Sequence, residues 1–114
     1  MKKTAADIYV YDVDPSADTA PANVLRFVGQ DKRVLEIGAG PGPISKPLVV
    51  LNRATMTAVE IDTRSVELLK GFCDRVIQAD LNDPSWSVPL QEDRFDAVVI
   101  GDVLEHLYDP WTTL

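Results

Sequence analysis

A chain of 114 residues suits one domain, and its 46% hydrophobic and 25% charged residues match an ordinary globular protein. Eleven Lys and Arg against 18 Asp and Glu leave a net charge of −7, which opposes the phosphate-neutralising contacts that supply most nucleic-acid affinity, so neither DNA nor RNA is expected as a partner. No run approaches the roughly 20 apolar residues of a membrane span, and the start MKKTAADIYVYD has no apolar segment after its lysines, as a secretory signal would.

Residues 1–18, ending in Tyr9-Val10-Tyr11-Asp12-Val13-Asp14-Pro15, show neither helical periodicity nor strand alternation and read as an N-terminal arm or loop. A short helix is predicted from Thr19 to Val28, with Asp18 or Thr19 as cap, Pro21 in the first turn and Gly29 as its end. Arg33-Val34-Leu35-Glu36-Ile37 is a buried strand of the kind found inside parallel sheets. A helix follows from about Ile44 to Leu51, with Pro47 tolerated because it lies in the opening turn. Thr55 to Glu60 is rich in β-branched residues and reads as a second strand. Asp62 or Thr63 then caps a helix through Lys70, which Gly71 stops. Cys73 is a small buried residue between helix and strand; alone, it forms no internal disulfide and fits a reducing cytoplasm. Arg75 to Gln78 is a third strand, residues 81–92 a loop in which Trp86 either packs or meets the edge of a bound adenine, and Phe95 to Ile100 a fourth strand. Val103 to Tyr108 begins a helix before Pro110, covered by Trp111. Alternating strands and helices imply an α/β fold, a Rossmann-like open parallel sheet with helices on both faces.

In such a sheet the ligand lies beyond the carboxyl ends of the strands. There Gly38, Gly40 and Gly42 alternate with Ala39, Pro41 and Pro43, so a ligand can lie against the main chain. A dinucleotide fingerprint needs its third glycine where Pro43 stands. Pro41 and Pro43 also lack the N–H groups that cradle phosphate oxygens. Glu36 at the strand's mouth would repel a diphosphate and favour a cation, which points to a cationic ligand with an adenosine-like body. Glu60 stands 20 residues beyond Gly40, where an acid accepts both ribose hydroxyls. With Asp80 and Asp102 past the third and fourth strands, four acids converge on one rim. Asp80 reads either as part of the site or as an acidic turn. His106, the only histidine, reads either as a general base or as a packing residue. No Cys and His cluster supports a metal site.

Glu36-Ile37-Gly38-Ala39-Gly40-Pro41-Gly42 resembles the first motif of the class I S-adenosylmethionine-dependent methyltransferases, an acid followed by Gly-x-Gly-x-Gly. The resemblance implies that Glu36 lies near the methionine ammonium, with Gly38, Ala39, Gly40 and Gly42 beneath methionine and ribose. It makes Glu60 the ribose ligand, flanked by Ile61, and sets Asp80 against the adenine amino group with Leu81 beside the ring. Asp102 would border the methionine end and His106 would face the acceptor. Tyr9 or Tyr11 would either pack over the cofactor or cover the sheet edge. Gly101-Asp102-Val103-Leu104-Glu105-His106-Leu107 resembles the segment of family members that act on small molecules and on sugar or lipid-like acceptors. It lacks the Asn/Asp-Pro-Pro-Tyr/Phe run of nucleobase N-methyltransferases. The implied strand order is 3-2-1-4 with the fifth to seventh strands missing, so the chain is expected to be the N-terminal part of a methyltransferase domain. The implied function is methyl transfer to a small-molecule, sugar or lipid-like acceptor; an NAD(P)-dependent oxidoreductase domain or a non-catalytic cofactor-binding module are the alternatives.

Overall fold

The computed structural model describes residues 14–100, so Tyr9, Tyr11, Asp102, His106, Trp111 and the helix predicted from Val103 lie outside the described residues. At its start the Asp14 carboxylate accepts the N–H and hydroxyl of Ser16 at 2.9 and 2.8 Å, closing a turn. Arg26 ties that turn to the first helix by donating to the carbonyls of Pro15 and Ala17.

Helix α1 spans Ala20–Val28, and the Thr19 hydroxyl accepts the Ala22 N–H as its cap. Strand β1 is Arg33–Ile37, α2 is Ser45–Asn52, β2 is Thr55–Glu60, α3 is Thr63–Leu69, β3 is Arg75–Gln78 and β4 is Ala97–Ile100. The four strands pair in parallel in the order β3-β2-β1-β4, as the sequence implies. Several boundaries differ from expectation by one or two residues, those of α2 and β4 among them. Helix α2 begins at Ser45 with Ile44 as cap. Strand β4 starts at Ala97, two residues late, because Asp96 serves as a clamp at the sheet's lower edge. Its N–H donates to the Arg33 carbonyl at 2.7 Å and its carboxylate accepts the Arg33 N–H at 2.8 Å.

Side chains alternate across a strand, and the register aligns Val34 with Met56 and Glu36 with Ala58. Val34 and Met56 pack with Leu25, Val28 and Leu48, and Ala58 packs with Leu69 and Val76, so α1, α2 and α3 share one face. Leu35, Ile37 and Val59 face the other way, onto Leu90, Trp86 and Phe95 of the β3–β4 connection. The steps from β1 to β2 and from β2 to β3 run in the same direction along the sheet, so right-handed crossovers put both helices on one side. Among the described residues the second face carries no α-helix, only that connection with its 3-10 turn Val88–Leu90.

A buried side chain couples α1 to α2. Asn52 Nδ2 donates to the carbonyls of Leu25 and Gly29 at 2.8 and 2.9 Å. Asn52→Ala takes this donor from both carbonyls, leaving Leu25 only the Gly29 N–H at 3.2 Å, and urea unfolding is expected to show a loss of about 2 kcal/mol.

Candidate functional site

The loop after β1 spends its own donors. The N–H groups of Gly38 and Ala39 both donate to the Val59 carbonyl, at 2.9 and 3.3 Å, and that of Gly42 donates to Ala39 at 3.3 Å. The Gly40 N–H donates to Glu60 Oε1 at 2.8 Å. Pro41 and Pro43 have none, so every N–H from Gly38 to Pro43 is absent or already donated, to the end of β2 or, for Gly42, within the turn. A diphosphate would find nothing to bind there. The same bonds stitch the end of β1 to the end of β2.

Positions 40 and 42 of this loop differ in kind. Gly40 has φ of +59° and no atom within 4 Å of where a Cβ would stand, so its α-carbon faces open space that a ligand can occupy. A Cβ on Gly42 would stand 2.3 Å from Phe72 Cζ. Gly42 is thus turned to packing, and Ala39 likewise is buried against Ala58 and Leu69. The structure brings Gly38 to the cavity wall and leaves Gly40 open, while Ala39 and Gly42 support the loop from beneath.

A cavity of about 250 Å³ opens beside the loop, with Gly38, Glu60, Ile61, Asp80 and Leu81 among its walls. That is slightly below the range for a whole ligand and suits one end of it. Glu60 is held at both oxygens, since Oε2 accepts the Asp62 N–H at 2.8 Å while Oε1 accepts Gly40. A carboxylate has about four lone-pair sites, so two acceptor positions remain in a fixed plane. Asp62, two residues on, caps α3 through the Ser65 N–H, and this bond holds its carboxyl below the usual range. Ile61 is 57% exposed and offers an apolar surface to the cavity. Asp80 both lines the cavity and closes a turn, accepting the Asn82 N–H at 2.9 Å, so its part in the acidic turn leaves it on the cavity wall. Sequence reasoning passed over Gln78, whose Nε2 donates to the Ile61 carbonyl and the Thr63 hydroxyl at 3.0 and 2.9 Å and so fixes the β2–α3 turn. Its place as the last residue of the neighbouring strand was the available signal.

Glu36 lies under the loop instead of on the cavity wall and is only 3% exposed. Its Oε1 accepts the Ser45 hydroxyl at 2.5 Å, and Oε2 has no partner among the described residues. Burial pushes its carboxyl up to about 7; the Ser45 bond opposes the rise and the nearby charge of Glu60 adds to it. Of the four converging acids, then, Glu60 and Asp80 share the cavity, Glu36 lies behind them, and Asp102 is outside the described residues.

The raised carboxyl sets a pH dependence. Between about 4.5 and 7 the unfolded chain binds fewer protons here than the folded one, so stability falls as pH rises. Chemical unfolding of the ligand-free chain at pH 5 and 7.5 is expected to differ by about 2 kcal/mol, with the lower pH more stable. Glu36→Gln should flatten that slope.

Burial pushes the Cys73 thiol up to about 12, which leaves it without nucleophilic character. Among the described residues no group of three His, Cys, Asp or Glu gathers as a metal site. Nor is any helix among them long and apolar enough to cross a membrane.

Comparison with known proteins adds to this geometry. The sequence profile of the family described as a methyltransferase domain matches residues 35–114. Ribosomal RNA small subunit methyltransferase A of Bradyrhizobium sp. (strain ORS 278) is 38% identical over 56 residues, covering 47% of this chain and 20% of that protein. A SAM-dependent methyltransferase from Archaeoglobus fulgidus is 25% identical, with a TM-score of 0.60 over 76% of this chain and 39% of its own. One from Aquifex aeolicus is 19% identical, with a TM-score of 0.64 over 97% of this chain and 64% of its own. The chain therefore spans less than two thirds of each of these relatives. A glycine turn closed to phosphate, a clamped acid at the end of β2 and a family profile running from β1 to Leu114 lead to one assignment: the chain belongs to the class I S-adenosylmethionine-dependent methyltransferases, with S-adenosylmethionine as its cofactor.

Proposed function

We propose that the chain binds S-adenosylmethionine across the carboxyl ends of β1–β3 as the donor-binding part, residues 1–114 with arm 1–18, of an enzyme that methylates a small-molecule, sugar or lipid-like acceptor. The observation that carries this reading is Glu60, held by the amides of Gly40 and Asp62 beside an α-carbon with open space before it. The residues present fit the cofactor. Glu60 accepts the two ribose hydroxyls, Asp80 accepts from the adenine amino group, and Ile61 and Leu81 flank the ring. Gly38 and Gly40 let the methionine and ribose approach the main chain, while Glu36 and Asp102 provide negative charge for the ammonium.

The bound sulfonium supplies an already activated methyl group. The protein's work is then to hold donor and acceptor in line, and good orientation is worth about 7–11 kcal/mol. His106 is proposed as the base that takes the acceptor's proton, a role worth roughly 10²–10⁴-fold in rate. The net charge of −7 favours a small acceptor over RNA, and the lone Cys73 agrees with a cytoplasmic setting.

Calorimetric titration with S-adenosylhomocysteine and with NAD tests the donor site, and tighter binding of NAD would overturn it. Transfer of labelled methyl to a panel of hydroxylated and amine acceptors, with ribosomal RNA included, tests the rest. Labelled RNA would replace the small-molecule reading, and binding without turnover on any acceptor would favour a non-catalytic module.

A further inference from the structure

The N–H that Asp62 gives to Glu60 Oε2 at 2.8 Å belongs to the peptide joining Ile61 to Asp62, and the carbonyl of that same peptide accepts Gln78 Nε2 at 3.0 Å. A trans peptide is flat, with its C=O and N–H pointing opposite ways, so Gln78 and Glu60 hold one rigid plane by its two edges. The two residues stand opposite each other in the β2–β3 register, and from there the glutamine reaches across the turn. Its side chain is steadied in turn, because Nε2 also donates to the hydroxyl of Thr63, the first residue of α3, at 2.9 Å. The next N–H along β3, that of Ala79, donates to the Glu60 carbonyl at 3.1 Å. The end of β3 therefore sets both the main chain of Glu60 and the peptide plane beyond it.

We propose that Gln78 is a positioning residue for the donor's ribose. Resting on the donor site proposed above, it acts from outside the cavity wall. It turns the Ile61–Asp62 peptide so that the N–H meets Oε2 of Glu60, while the Gly40 N–H meets Oε1. With one acceptor position on each oxygen taken from a fixed direction, the other two are left in the plane where the ribose hydroxyls arrive. Hydrogen bonds in series polarise one another, so donation to the Ile61 carbonyl also strengthens the Asp62 N–H as a donor. Without Gln78 that carbonyl turns toward water, the plane rotates with it, and the carboxylate loses the partner that orients Oε2.

The readout is the affinity ratio between adenosine and 2′,3′-dideoxyadenosine, measured by competition with S-adenosylhomocysteine, because the two nucleosides differ only in the hydroxyls that Glu60 accepts. The native chain is expected to prefer adenosine by roughly 100-fold. Gln78→Ala should cut that preference about 10-fold and leave the dideoxy affinity within about 2-fold of native. Gln78→Glu, equal in size but without the donor, should cut it at least as far. Thr63→Val keeps the bond to Ile61 and should leave the preference near native. In a Glu60→Ala background, Gln78→Ala should change S-adenosylhomocysteine affinity by less than about 2-fold, because its route to the ligand is gone. Gln78 is exposed, so its loss should move the melting temperature by no more than about 4 °C. A residue serving only the fold would weaken both nucleosides alike. Equal weakening, or a preference that neither Gln78 variant moves, overturns the proposal and leaves the donor site standing. A native chain that binds the two nucleosides equally removes Glu60 from the ribose and overturns both.

Discussion

Glu60→Gln is expected to weaken S-adenosylhomocysteine binding by about 100-fold, nearly as much as Glu60→Ala, although Gln matches Glu in shape. Hydrogen bonds to a charged group are worth about 1.5–3 kcal/mol each, and two to the ribose hydroxyls make roughly 3 kcal/mol or more. The carboxylate is already committed on one side, because Gly40 and Asp62 each donate an N–H to it at 2.8 Å. Gln has a single acceptor oxygen, so its NH₂ must face one of those two N–H groups, donor against donor. The loop then loses its bond to β2 or the amide turns out of the ribose plane. Either result removes the preorganised acceptors that a bound ribose requires. Calorimetry measures the affinity, and thermal unfolding of the same variants separates a lost ligand contact from a lost fold. A Gln variant of native affinity would remove Glu60 from the ribose site and with it the geometric argument for the donor.

Much of this arrangement is legible in the sequence for local reasons. Strands β1 and β2 fall on the predicted residues because turn formers bracket apolar, branched runs at both ends. Asp62 was one of two candidate caps for α3, and the structure selects it. What escaped the sequence is direction and long-range pairing. The alternation of glycines fits a ligand-facing turn, yet nothing in the spacing distinguishes Gly40, which faces open space, from Gly42, which faces Phe72. Asp96 looked like part of β4 because it follows an aromatic residue in an apolar run, but its carboxylate is used to clamp Arg33, 63 residues away. Asn52 bonds to the carbonyls of Leu25 and Gly29 at the end of α1, contacts that leave no mark on the residues nearby in the chain. The burial of Glu36 was likewise hidden, because the donor that tolerates it sits on another element.

Gly42→Ala is expected to destabilise the chain by about 2–6 kcal/mol and lower its melting temperature by roughly 10–30 °C. Two costs add. Gly42 holds φ at +101°, a conformation that side-chain-bearing residues adopt only with strain of about 1–3 kcal/mol. The new methyl would also stand 2.3 Å from Phe72 Cζ, so the ring must move and leave Lys46, whose ammonium lies 5.7 Å from its centroid. Overpacking of this sort costs about 1–3 kcal/mol. The two costs separate in a double-mutant cycle. In a Phe72→Ala background the clash is gone and only the backbone strain remains, so Gly42→Ala should then cost about 1–3 kcal/mol. The neighbouring glycine should fail differently: Gly40→Ala fills the open space before the α-carbon, so its main loss is expected in S-adenosylhomocysteine affinity. Gly42→Ala, measured where the chain is still folded, should bind almost as well as the native sequence. If the two substitutions instead showed the same balance of lost stability and lost affinity, the division of this turn into a ligand-facing glycine and a core-facing one would be wrong.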